Sequence, residues 1–278
     1  MARKISKSAE GAKIGFVLFV LACAFFPLYV MLAVSFKSNE QYQATPWTFD
    51  ALADWRWHNW EVAWQAVGGY ISNSVFVSVT GTILTIVTVL LCSYPLARYR
   101  FPGRNLIYYG LLASMFLPGT AATLVTVFAL LQRLSLVNNL WALILMAVVH
   151  GQITGVFLLK QYIEDIPISL FDSAEMDGAG HLQQIWHIVL PMSGPIISVS
   201  AIMSFLGTWN DVILPMIILR DNELLTIPVG LLRLEGEYVK NYGEMMAGYA
   251  IASVPLVLLF LFTMRFFVKG LSAGAIKG

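Results

Sequence analysis

Charge is what this sequence has least of. Only 12% of its 278 residues are Asp, Glu, Lys or Arg, while 58% are hydrophobic and the mean hydropathy is +0.72. So few charges cannot cover a water-soluble fold, in which about a quarter of residues are charged. The 17 Lys and Arg nearly cancel the 16 Asp and Glu, so a net charge of +1 offers nothing to nucleic acid or another polyanion. Cysteine is scarce as well: Cys23 and Cys92 both lie in apolar runs, which excludes a disulfide framework and suits free thiols facing lipid. A Gly-x-x-x-x-Gly-Lys-Ser/Thr phosphate loop and a His-Glu-x-x-His zinc motif are both missing. His181 and His187 stand six apart, a spacing that does not align two ligands on one helix face. Gly270-Leu271-Ser272-Ala273-Gly274 has the form Gly-x-Ser-x-Gly, but a nucleophile elbow follows a strand, and this one follows a helix-length apolar run. Nothing here makes a case for an enzyme, a metal site or a cofactor held by this chain.

What the sequence does have is apolar runs of the length that crosses a bilayer, about 20 residues each. Six are visible, near residues 14–36, 71–95, 106–131, 140–159, 195–219 and 245–268. Pro27, Pro95, Pro118, Pro215 and Pro255 fall within or at the ends of these runs and predict kinks. The first run, preceded by Arg3, Lys4, Lys7 and Lys13 and containing Ala22-Cys23-Ala24, has some features of a secretory signal, but it continues to Val34 and reads as an uncleaved anchor. A cytoplasmic N-terminus puts eleven Lys and Arg inside, among them Arg98, Arg100 and Arg104 in one short loop, and leaves six outside: Lys37, Arg56, Arg133, Arg220, Arg233 and Lys240. That asymmetry follows the positive-inside rule. The expected architecture is therefore an all-α, multi-pass membrane protein of six transmembrane helices with both termini cytoplasmic: a tail over 1–13, one transmembrane domain over 14–268 and a tail over 269–278. Two outer segments, 37–70 and 220–244, are long enough to hold structure. Trp47, Trp55, Trp57, Trp60 and Trp64 in the first read as an interfacial aromatic belt on an amphipathic segment rather than as ligand contacts.

Between the fourth and fifth runs lies a cytoplasmic segment, about 160–194, longer than a typical helix connection. Residues 168–178 read as a short helix, with Ser169 capping its start, Asp172 completing the form of a capping box, and Gly178 ending it in the left-handed conformation. A second helical stretch, with Leu182, Ile185, Trp186 and Val189 on one face, runs to Pro191 and Pro195, which mark the turn into the fifth span. So short a helix needs a surface to pack on. Leu170, Phe171 and Ala174 form a small apolar face for that purpose, against either another subunit or the membrane surface and the chain's own helix ends.

Here the sequence resembles a known family. Permease subunits of ATP-binding-cassette importers carry Glu-Ala-Ala, three residues, Gly, nine residues, Ile, one residue, Leu-Pro. This chain has Asp172-Ser173-Ala174, Gly178, Ile188 and Leu190-Pro191 at the same spacing, with Asp172 for Glu and Ser173 for Ala as conservative departures. Asp177-Gly178-Ala179 matches the Asp-Gly-Ala of sugar importers, and the tail from Gly270 to Gly278 is similar to the C-terminus of the maltose-type second permease. The resemblance implies a type I importer permease fold in a cytoplasmic (inner) membrane. It also implies that residues 169–181 are a coupling helix docked on an ATPase, with Ser169, Leu170, Phe171, Asp172, Ser173, Ala174, Asp177, Gly178, Ala179, Ile188, Leu190 and Pro191 as the docking region. The implied partners are a second permease subunit as heterodimer, two copies of a cytoplasmic ATPase subunit that bind the ATP, and an external or periplasmic solute-binding protein. The solute expected is a sugar or related polyhydroxyl compound, with disaccharide, oligosaccharide, monosaccharide, polyol and glycerol phosphate all open.

Polar residues within the spans give two further expectations. Trp209, Asn210 and Asp211 either line the translocation path, a stacking ring beside hydrogen-bonding groups, or Asp211 caps locally near the outer interface, with a helix break at Leu214-Pro215 suiting both. His150, Gln152, Asn73 and Ser74 read as interhelical hydrogen-bonding residues, and Gly151 with Gly155 as a Gly-x-x-x-Gly pair for close helix approach. An ion-coupled secondary transporter is the alternative reading; it would need inverted repeats and several buried carboxylates near the midplane, of which only Asp211 is evident.

Overall fold

The computed structural model describes residues 7–116, 121–237 and 241–275, and no strand occurs among them. Four segments are long and apolar enough to cross a bilayer: Lys13–Ser35 of α1 (Lys7–Ser35), α3 (His58–Arg98), α6 (Leu140–Glu164) and Tyr242–Thr263 of α13 (Tyr242–Ala275). A fifth is obtained if a helix pair bent by 85° about Ser193 is counted as one span. The expected third span corresponds instead to two shorter helices, α4 (Arg104–Ser114) and α5 (Ala121–Arg133), neither of which alone reaches the ~20 residues of a full crossing. Pro118, with Arg3, Lys4, Lys240 and Lys277, lies outside the described residues.

Pro27, Pro95 and Pro255 sit inside helices that continue through them. At Pro215 the reason for the local geometry is plain. α10 (Gly194–Trp209) ends, residues 210–212 leave the helix, and α11 (Ile213–Ile218) restarts with Pro215 in its first turn, where a missing N–H sacrifices no helical bond. The expected break thus falls a few residues before Leu214-Pro215.

Contacts group residues 69–230 with 255–278 into one unit and residues 1–68 with 231–254 into another, where the sequence reads as one membrane domain. In the larger unit α6 packs against both α3 and α10. The Gly-x-x-x-Gly expectation holds: a Cβ on Gly151 would come within 2.4 Å of Thr85 Cγ2, and one on Gly155 within 2.6 Å of Val89 Cγ2. Val89, Leu159, Ile163, Phe171 and Val189 form one core cluster, and Val77, Leu131, Ile144, Ile218 and Leu225 a second. Asn73 and Ser74 do bond across the fold, though to backbone rather than to another helix's side chains. Asn73 Nδ2 donates to the carbonyls of Glu223 (2.6 Å) and Leu225 (3.0 Å), and Ser74 Oγ accepts from Ile227 N–H (2.8 Å) at the start of α12 (Ile227–Glu237). Asn138, at φ +60°, bonds four times to residues 218–221. Its Oδ1 accepts from the N–H groups of Arg220 and Asp221, Nδ2 donates to Asp221 Oδ2, and its own N–H reaches Ile218 O.

The smaller unit is organised around the end of α1. Lys37, only 2% exposed, is satisfied by Thr45 and by the Asp50 carboxylate at 3.2 Å, which is what a buried ammonium requires. Asn59 Nδ2 donates to the carbonyls of Ser35 and Lys37, and Gly243 lies so close that a Cβ there would meet Lys37 O at 2.2 Å. The tryptophans divide between two roles. Trp47, Trp57 and Trp64 remain exposed, as an interfacial belt needs, whereas the rings of Trp55 and Trp60 stack on Phe36 at 4.3 and 5.3 Å.

Candidate functional site

The segment after α6 folds as helix, elbow, helix. α7 (Ile168–Met176) begins one residue before Ser169, with Pro167 (φ −53°, ψ 130°) as its non-helical N-cap. This corrects the expected capping box: Ser169 lies in the first turn, and its carbonyl accepts from Ser173 Oγ. The end of α7 is as expected. Gly178 has φ +79°, its N–H bonds Glu175 O, and Ala179 N–H bonds Ala174 O at 2.8 Å, the paired bonds of a Schellman motif. Ser169, Leu170, Asp172, Ser173, Asp177 and Gly178 are exposed, with Ala174 and Ala179 half-buried.

Phe171 does not join that exposed surface. It is fully buried in this chain's own core, with the Arg98 guanidinium 3.8 Å from its ring centroid. One turn of α7 cannot present Leu170 and Phe171 to the same partner, because consecutive residues point about 100° apart. The outward apolar residues are Ile168, Leu170 and Met176.

α8 (His181–Gln184) passes into a π turn, Ile185–Val189, and then α9 (Leu190–Met192). The expected single apolar face splits. Ile185 and Val189 are buried, while Leu182 and Trp186 are about two-thirds exposed at 64% and 65%. Residues 182 and 186 form one row and 185 and 189 another, and only the second meets the core. Ile188 and Leu190 are partly buried against that core, and Pro191 is exposed just before the 85° bend that the prolines predicted.

The residues that brace this segment escaped the sequence reading. Tyr94 Oη donates to Gln184 Oε1 at 2.5 Å and lies 3.2 Å from Tyr99 Oη, which in turn contacts His181 Nδ1 at 2.7 Å. Gln184 Nε2 returns to Ala179 O, so a side chain 2% exposed keeps both ends satisfied. Beside it, Glu164 binds Arg104 and Lys160, each at 2.8 Å, and Lys160 also lies over the Tyr108 ring. One signal did exist: Lys160 precedes Glu164 by one helical turn.

Trp209, Asn210 and Asp211 are not brought together. Trp209 is buried and stacked on Phe205 (5.5 Å between centroids), and Asn210 is exposed with Nδ2 donating to Leu206 O. Asp211 alone of the three reaches a cavity within the larger unit, while its Oδ1 accepts from Leu214 N–H at 3.4 Å, the local capping contact. That cavity, of about 460 Å³, is walled by Ser78 and Thr85 of α3, Met146 and His150 of α6, and Met203 and Ser204 of α10. His150 Nδ1 lies 2.8 Å from Met146 O; a carbonyl only accepts, so Nδ1 donates. Gln152 bonds Thr88 across the α3–α6 contact. Among the described residues, no cluster of His, Cys, Asp and Glu has metal-binding geometry.

Comparison with known proteins agrees with this geometry. The arabinooligosaccharides transport system permease protein AraQ of Halalkalibacterium halodurans is 33% identical over 270 residues, covering 95% of each chain. The diacetylchitobiose uptake system permease protein NgcG of Streptomyces coelicolor is 32% identical, covering 90% of this chain and 83% of that one. A crystal structure of a bacterial ABC transporter involved in the import of the acidic polysaccharide alginate superimposes with a TM-score of 0.80 at 18% identity, over 95% of this chain and 99% of the other. The fold is therefore that of a type I importer permease. Residues 89–273, which hold the helix–elbow–helix segment, its braces and most of the cavity wall, match the family described as binding-protein-dependent transport system inner membrane component, and the chain belongs to that family of ABC transporter permeases.

Proposed function

We propose that this chain is a pore-forming permease subunit of an ATP-driven, binding-protein-dependent importer of a sugar or related polyhydroxyl solute, coupled to its ATPase through α7 and the Gly178 elbow. The observation that carries this reading is the two-sided build of α7: Phe171 holds it to the chain's own core, while Asp172, Glu175 and Asp177 with Leu170 and Met176 face outward. Three acids and no base on so short a segment suit a cleft with basic walls and an apolar floor. A helix held by such a cleft follows it when ATP closes the ATPase dimer. Phe171 under Arg98, and Tyr94 against Gln184, pass that displacement to the end of α3, and Arg104, which donates to Leu96 O and pairs with Glu164, links that end to α6.

The remaining features of the reading are six spans, both termini in the cytoplasm, tails over 1–13 and 269–278, and a coupling loop over about 160–194. The working complex contains a second permease, two ATPase subunits that bind the ATP, and a solute-binding protein on the outer side of the inner membrane. The sugar specificity draws support from the relatives, whose named solutes are arabinooligosaccharides and diacetylchitobiose. Purified complex in proteoliposomes, with binding protein and ATP, tests the reading directly. Sugar uptake should require ATP, and Gly178→Leu should abolish it while the subunit still inserts, because a branched side chain does not tolerate φ +79°. Uptake by that variant at the wild-type rate would refute the docking role.

A further inference from the structure

We propose that His181 is a positioning residue for coupling: its Nδ1–H heads a one-way chain of hydrogen bonds that clasps the elbow after α7 to the end of α3. What the clasp does rests on the permease reading; its direction follows from counting hydrogens.

The fixed end of the chain is Ala179 O. A carbonyl only accepts, so the Gln184 amide presents Nε2 to it, at 3.3 Å, and turns Oε1 the other way. Oε1 also only accepts, so the single hydroxyl hydrogen of Tyr94 goes to it, at 2.5 Å. Tyr94 Oη then has no hydrogen left for Tyr99 Oη, 3.2 Å away, and the hydrogen between the two phenols is the one on Tyr99. With Tyr99 committed in this way, the 2.7 Å contact between its Oη and His181 Nδ1 is a hydrogen bond only when Nδ1 carries a hydrogen and donates. A bare Nδ1 would draw the Tyr99 hydrogen to itself and leave two phenol oxygens facing each other with nothing between them.

The course of the chain gives it a task. It leaves the segment at His181, passes through Tyr99 and Tyr94, and returns through Gln184 to Ala179, so both of its ends lie within three residues of the Gly178 elbow. Tyr94 is 3% exposed and Gln184 2%, so water does not replace a partner lost at that end. His181 stands at the surface, with its ring edge-on to that of Tyr99. Hydrogen bonds in series strengthen one another, and the exposed first donor therefore sets how firmly the buried part grips. Packing of Phe171 keeps α7 beside the core; the directional chain fixes the register of the elbow against α3.

The test uses the assembled complex in lipid, with its ATPase, second permease and binding protein and with isotope label in this chain alone. Gly180–His181 is the only Gly-His pair in the sequence. Labelling glycine carbonyl carbon and histidine nitrogen therefore assigns the ring without any substitution, and solid-state NMR should find a hydrogen on Nδ1. ATP-dependent uptake of at least one of arabinotriose, maltotriose and raffinose by the wild type tests the permease reading separately. Given that uptake, two variants part donor from acceptor: His181→Asn keeps an N–H on the carbon that bears Nδ1, and His181→Asp places there an oxygen that only accepts. Asn should hold uptake per ATP hydrolysed within about twofold of wild type and Asp should lower it about fivefold, the worth of one net hydrogen bond, with the ATPase retained on purification in both. Adding Tyr99→Phe should erase the difference between the Asn and Asp variants, whereas an effect of the added charge alone would persist. A bare Nδ1, equal uptake per ATP in the Asn and Asp variants, or a difference that survives Tyr99→Phe would each overturn the proposal.

Discussion

Gly155 and Val89 touch so closely that one methyl group decides whether α3 and α6 can meet. Gly155→Ala puts a Cβ 2.6 Å from Val89 Cγ2, and a β-branched side chain on a helix has little rotamer freedom with which to yield. The expected cost is about 1–3 kcal/mol. Adding Val89→Ala should restore most of it, because that deletion leaves only an ordinary 3.4 Å contact. Thermal unfolding of the four combinations in detergent measures the coupling directly, and strictly additive losses would show that the two residues do not share a contact. The Gly-x-x-x-Gly pair was legible in the sequence because it depends only on spacing along one helix. Thr85 and Val89 were not, since nothing in a single helix says which neighbour it meets. The same division separates Gly178, whose left-handed backbone is a local property, from Phe171, whose burial depends on Arg98, seventy-three positions away.

At the scale of elements, α7 has an inner anchor and an outer face, and the two should fail differently. Phe171→Ala removes a fully buried ring and is expected to cost about 3–5 kcal/mol, loosening α7 from the core. Met176→Ala, at a side chain 88% exposed, should leave stability within about 0.5 kcal/mol yet weaken retention of the ATPase. Unfolding curves and ATPase co-purification on the same two variants separate the roles; equal loss of stability in both would remove the distinction. Tyr94→Phe adds a third case, leaving the buried Gln184 carbonyl without its donor at a cost of about 1–3 kcal/mol, and should reduce uptake per ATP hydrolysed. The helix–elbow–helix order was readable from glycine and proline. The start of α7 was misjudged because the cap position falls on Pro167, which has no side-chain acceptor to signal it, and the apolar row after Gly178 was misjudged because its π turn departs from the 3.6-residue period on which such a reading depends.

For the whole molecule, hydropathy located four long spans, but α3 begins at His58, thirteen residues before the expected start at 71, because its first turns carry His58, Asn59, Glu61 and Gln65 and do not read as apolar. The third and fifth were harder: α4 and α5 are each shorter than a crossing, and α10 stops at Trp209 for a non-helical stretch whose cue, Pro215, lies beyond it. The triplet 209–211 misled for a related reason, because past a helix end neighbouring residues no longer follow helical spacing and Trp209 turns inward while Asn210 turns out. Single cysteines at Arg100 and at Gln132 in a cysteine-free background should react with an impermeant maleimide from opposite sides of right-side-out vesicles, Arg100→Cys only after lysis; the reverse pattern would invert the topology.

The four hydrogen bonds of Asn138 have a consequence for how such a bundle rocks. With both lone pairs of Oδ1 occupied by the N–H groups of residues 220 and 221, the turn before α6 and the stretch after α11 are riveted into a single rim. Under the proposed mechanism, relative rotation of those two parts would have to break these bonds, whereas the corner where the chain folds by 85° about Ser193 lies outside them. One amide would then serve as a pin, and the proline-flanked corner would be the place left to bend.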